Sequence, residues 1–173
     1  MLPIKIDNYP FTIPVFIEVA QYSRMKYEWD CKYNTLVLDR VLHSAVFYPH
    51  NYGFIPETLC DDGDHLDVLV LSDGPMIPGS SVIVRPICYM IMEDEKGMDE
   101  KVLGVVNNDP RYKNINDICD LPEHTLKEIS HFFETYKALE KEKWVKVGSW
   151  LDVKKTHELI KATYNKYKNN LKI

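Results

Sequence analysis

The chain has 173 residues, is 45% hydrophobic and 27% charged, and carries a formal net charge of −5. That length and composition suit a single globular domain with a real core, expected over 1–173. The acidic balance speaks against nucleic-acid binding, which needs a basic face, and the apolar runs are too short to span a membrane.

The opening stretch, "MLPIKIDNYP", lacks the basic-then-apolar layout of a secretory signal. β-branched and aromatic runs then predict strands over 13–20, 26–30, 35–40, 67–71, 81–93 and 101–106. Between them, "FYPHNYGFIP" (47–56) reads as an aromatic turn, and Pro86 predicts a bend or bulge within 81–93. Gly97, between Asp94 and Asp99, marks a hairpin. The last third turns helical. Pro122 and Glu123 open a helix whose Leu126, Ile129, Phe133 and Tyr136 recur at helical spacing. Residues 143–150 return to strand, and Asp152 caps a final helix to about Lys168. No repeat or linker interrupts the chain. Many short strands with few helices predict an α+β, mainly β fold, a closed or nearly closed barrel with helices on its side. Cys31, Cys60, Cys88 and Cys119 are widely spaced without a CxxC pair, which points to free thiols in a reduced, cytoplasmic protein rather than a zinc site.

The densest chemistry lies in "CDDGDHLDVLVL" (60–71), where Asp61, Asp62, Asp64 and Asp67 crowd together before an apolar strand. An EF-hand counted from Asp62 would need Gly and Glu where Asp67 and Asp73 stand. Carboxylates with only His65 among them favour a hard cation such as Mg²⁺, with Mn²⁺ as a substitute. A solvated acidic turn is the plain alternative. Asp94 and Asp99 form a second acidic turn, and Lys101 shares a strand face with Asp99. Glu18, Lys26, Glu28 and Arg40 place charge in strand-like runs, where it is costly unless paired or at a wet strand end. Tyr48, Tyr52 and Tyr136 could be packing residues or hydroxyl donors, and Lys137 could be solvated or anion-binding.

Read in order, "FIEVA", "KYEWD", "LDRVLHSAVFYPHNYGFIPETL", "DGDHLDVLVL", "EDEKGMDEK" and "HFFETYKALEKEKWVKV" resemble the family I inorganic pyrophosphatases of the compact prokaryote type. The resemblance implies an OB-like five-stranded barrel with flanking helices. It implies Mg²⁺-dependent hydrolysis of diphosphate to two phosphates, and a homohexamer. It implies metal ligation by Asp62, Asp67, Asp94 and Asp99, with Asp67 bridging, and Asp64 as general base. Lys26, Arg40, Tyr52, Lys101, Tyr136 and Lys137 match substrate-binding groups, and Glu18 and Glu28 match outer acidic members of the site. His65 departs from the pattern, which usually has Pro or Glu there; it reads as a solvated side chain or as a pH-sensitive neighbour of the metal loop. Two other functions compete: a broader diphosphate or nucleotide phosphohydrolase, and a non-catalytic OB-like module for anions or nucleic acid.

Overall fold

The structure, a computed structural model, describes residues 8–171, so the ends of the expected domain lie outside the described residues. Among the described residues there are nine strands: β1 (Ile13–Val19), β2 (Met25–Asp30), β3 (Thr35–Val41), β4 (Asn51–Ile55), β5 (Leu66–Leu71), β6 (Ser81–Asp94), β7 (Gly97–Met98), β8 (Lys101–Val106) and β9 (Val145–Leu151). The described residues also hold two α-helices, α1 (Glu123–Thr135) and α2 (Val153–Asn170).

Five strands close a ring in the order β1-β4-β5-β8-β6, sealed by antiparallel pairing of β1 with β6. This matches the OB-like expectation. Its one parallel pairing, β5 with β8, sets Asp67 beside Lys101 and Val68 beside Val102. β6 is long enough to serve several partners, with β9 extending the sheet along its second half. The bulge expected at Pro86 is observed as a register shift between Pro86 and Cys88. Among the described residues, β2 and β3 pair only with each other, forming a separate two-stranded ribbon.

The apolar run of β5 is explained by burial on both faces. Leu66, Val68 and Val70 join a cluster with Ile13, Val15 and Ile17 of β1 and Ile160 of α2. Leu69 and Leu71 face a second cluster built on Ile129, Phe132 and Phe133 of α1. α2 begins at its expected cap, where the Asp152 side chain accepts from the Lys155 amide at 2.9 Å. α1 is shorter than its periodicity suggested: Tyr136 is the buried C-cap rather than a helical residue.

The reading of 47–56 as a turn is corrected. Residues 51–55 are the fully buried strand β4, paired with both β1 and β5. Its two turn-like residues are strand residues with special duties. Gly53 runs so close to β1 that a Cβ there would stand 1.8 Å from the Phe16 carbonyl oxygen. The Asn51 amide, fully buried, accepts from Gln21 N and Met76 N and donates to Ser72 Oγ and the Gly74 carbonyl. Every polar valence of that side chain is used to pin neighbouring loops, which offsets its burial.

Candidate active site

The parallel β5–β8 register brings an aspartate and a lysine side by side at one end of the ring. Lys101 is buried, and its Nζ donates to Asp67 Oδ2 at 2.5 Å and to Asp99 Oδ1. Burial alone would drive this ammonium toward neutrality; Asp67 and Asp99 outweigh it and raise its pKa above the ordinary lysine value. Tyr52, from β4, donates its hydroxyl to the same Asp67 Oδ2. Burial, then Asp67, hold the Tyr52 phenol well above its usual range, so it remains a donor. Tyr136 is kept protonated in the same way, by burial and then Asp99.

Around this centre stand further charged groups. Lys137, just beyond α1, donates to Asp94 Oδ2 at 2.6 Å. Burial opposes ionisation of Asp94, but Lys137 and the Lys96 amide bond its carboxylate and lower its pKa. Glu18, buried in β1, accepts from the Trp29 amide at 2.7 Å and so ties the ribbon to the ring. Burial and, second, Asp67 push the Glu18 carboxyl up to about 8. On the ribbon, Lys26 pairs with Glu28, and Arg40 Nε donates to Glu140 Oε1 at 2.8 Å. Asp62 and Asp64 stand at the rim, with Lys96 Nζ 3.9 Å from Asp64 Oδ2. Partial burial, then Asp62, raise the Asp64 carboxyl above its ordinary value, with Lys96 opposing.

These groups line one cleft of about 520 Å³. Glu18, Lys26, Glu28, Arg40, Tyr52, Asp62, Asp64, Asp67, Asp94, Asp99, Lys101, Tyr136 and Lys137 all face it, so the structure brings every sequence-predicted site residue together. Tyr48 is not among them; it is a core residue packed on Tyr52 and Phe132. The expectation of a wet strand end fails for Glu18, which is buried. Sequence reasoning missed Asp39, Glu95, Lys96 and Lys143, which also line the cleft. Asp39 and Glu95 adjoin Arg40 and Asp94, so adjacency was the available signal. Glu140, which anchors Arg40, carried none, because "EKEK" reads as a solvated run.

The donor set is carboxylate oxygen, the chemistry that suits a hard divalent cation. Among the described residues, no three His, Cys, Asp or Glu side chains are grouped to hold an ion as they stand. Lys101 acts instead as the counterion of both Asp67 and Asp99.

The protein-family model for inorganic pyrophosphatase matches residues 15–168. The chain belongs to the inorganic pyrophosphatase family. Among curated relatives, an inorganic pyrophosphatase of Thermus thermophilus is 52% identical over 169 residues, 96% of each chain. One of Campylobacter jejuni is 48% identical over 167 residues, 95% of this chain and 97% of the relative. The crystal structure of an inorganic pyrophosphatase from Thermus thermophilus superposes with a TM-score of 0.93 at 52% identity, covering 96% of this chain and 97% of that one. No helix of the described residues is long and apolar enough to cross a membrane.

Proposed function

We propose that this pyrophosphatase hydrolyses inorganic diphosphate to two phosphates and depends on Mg²⁺, with Mn²⁺ able to substitute. One observation carries the reading: aspartates and phosphate-seeking cations face a single cleft, in a chain of this family. Diphosphate resists attack because its own charge repels a nucleophile. Divalent cations, when bound, would neutralise that charge and supply acidity to an attacking water. Asp62, Asp67, Asp94 and Asp99 would hold them, Asp67 as the ligand common to two. Asp64, exposed at the rim where it can meet water, takes the water's proton. Lys26, Arg40, Lys101 and Lys137 stabilise charge on the phosphoryl oxygens, and Tyr52 and Tyr136 donate hydrogen bonds. Glu28 and the buried Glu18 complete the outer wall of the site, Glu18 through a carboxyl whose pKa is pushed up to about 8. The chain acts as one domain, in the cytoplasm, as a homohexamer.

Phosphate release from diphosphate, ATP and a phosphomonoester, each with Mg²⁺, tests the reading. Strong preference for diphosphate is expected. Comparable turnover of ATP would make it a broader phosphohydrolase, and no turnover would leave a binding module.

A further inference from the structure

We propose that His65 is a positioning residue for Asp64, holding the catalytic loop by one hydrogen bond and one ring stack. The inference rests on the reading of Asp64 as general base. His65 is neither a solvated side chain nor an open one. Its ring stacks on Phe54, with centroids 4.8 Å apart and planes 17° from parallel. Its Nδ1 lies 2.7 Å from the Thr58 carbonyl oxygen. A carbonyl only accepts, so Nδ1 carries the proton and donates.

Thr58 is a firm anchor. It is fully buried, its hydroxyl donates to the Ile55 carbonyl at 2.6 Å, and the same hydroxyl accepts from the Leu66 amide at 2.9 Å. Thr58 therefore grips two successive residues immediately after Asp64. On the other side, the Cys60 amide donates to the Asp64 carbonyl at 2.8 Å. Gly63 cannot stiffen the loop: its φ is +93° and nothing lies near where its Cβ would be. Among the described residues, the Asp64 carboxylate itself has only Lys96, 3.9 Å away, to steady it. Its aim thus depends on the backbone, which two side chains fix: Asp62, whose Oδ1 accepts from the Asp64 amide at 3.0 Å, and His65 on the C-terminal side. The stack also sets the loop's distance from the metal-ligand strand, because Phe54 is the register partner of Asp67. A base displaced by about 1 Å can lose up to about 10²-fold in rate.

The substitutions separate the two contacts. His65→Asn keeps a donor near the Nδ1 position and loses the stack, His65→Phe keeps the stack and loses the donor, and His65→Ala loses both. At saturating Mg²⁺ and diphosphate, kcat per folded enzyme should fall by about tenfold in His65→Ala and less in the other two. KM should move less than kcat. The deciding measurement is the cycle with Asp64→Asn. If His65 acts through Asp64, His65→Ala should cost nothing further in the Asp64→Asn background. A full additional loss there overturns the proposal while the base reading stands. Near-normal kcat in Asp64→Asn alone overturns the base reading, and the proposal with it. A lowered Tm with unchanged kcat in all three variants makes His65 merely structural and also overturns it. If His65→Ala fails to fold, the Asn and Phe variants carry the same cycle.

Discussion

Asp64 and Glu18 show how environment divides labour between like side chains. Asp64 is exposed at the rim, where it can meet water; Glu18 is buried under the ribbon with a backbone amide on one oxygen. Asp64→Asn keeps shape and removes the proposed base, so kcat should fall by about 10²–10⁴-fold, with Mg²⁺ and diphosphate binding changed far less. Near-normal turnover at saturating metal would move the base elsewhere. Glu18 yields a stability prediction. An unperturbed glutamate ionises near pH 4.5, and this one near 8. Between those values the unfolded chain has released a proton that the folded chain retains. The stability tied to this group is therefore whole below about 4.5 and is lost as pH rises through about 8. Glu18→Gln keeps an acceptor for Trp29 and cannot ionise. In chelator, wild-type Tm should fall relative to the variant between pH 5 and 8, the gap widening with pH. Parallel curves would show that Glu18 is not held protonated.

The ribbon of β2 and β3 is the least anchored part of the cleft wall, since it shares no backbone ladder with the ring. It is joined through Glu18 to Trp29, through the Phe16–Trp29 ring contact at 5.0 Å, and through Glu140 to Arg40. Glu140 lies just past the Tyr136–Lys137 pair, so its bond couples the ribbon to the wall that carries those two residues, the pair proposed to hold phosphate. Charge-assisted hydrogen bonds contribute about 1.5–3 kcal/mol. Glu140→Ala should accordingly raise KM for diphosphate about tenfold with a smaller effect on kcat, and Glu140→Gln should recover part of the loss. An unchanged KM would mean that Arg40 needs no anchor. These elements also show what the sequence could disclose. Alternation and apolar runs located β1, β5, β6 and β8, and ordered motifs named the cleft residues, because both signals are local. β4 was hidden because Asn51 and Gly53 imitate a turn, and their true duties involve Gln21, Met76 and Phe16, distant in sequence. Glu140 was opaque for the same reason, its partner Arg40 lying 100 residues away, whereas His65 was opaque because only the folded loop brings its ring onto Phe54 and the Thr58 carbonyl.

Across the molecule, closure of the ring concentrates charge at one end of a chain whose net charge is already −5. Resemblance in length and sequence type supports a homohexamer, and light scattering should give six chain masses; a monomer mass at micromolar concentration would refute it. Metal dependence follows from the charge itself. Asp62, Asp64, Asp67, Asp94 and Asp99 share a cleft in which Lys101 is the counterion of two of them. On the proposed reading, divalent cations that bind only the folded protein would relieve the remaining repulsion and stabilise it. At a hundredfold excess over Kd, one site contributes about 2.7 kcal/mol. For a chain of this size, each kcal/mol moves Tm by about 2–4 °C, so one site should raise Tm by about 5–10 °C. Chelation should therefore abolish phosphate release and lower Tm together, and Mg²⁺ alone, without zinc, should restore both. Asp67→Asn should blunt both responses most, because a shared ligand serves two ions. Full activity in a metal-stripped sample, or an unaltered Mg²⁺ titration in Asp67→Asn, would contradict this assignment of the cleft.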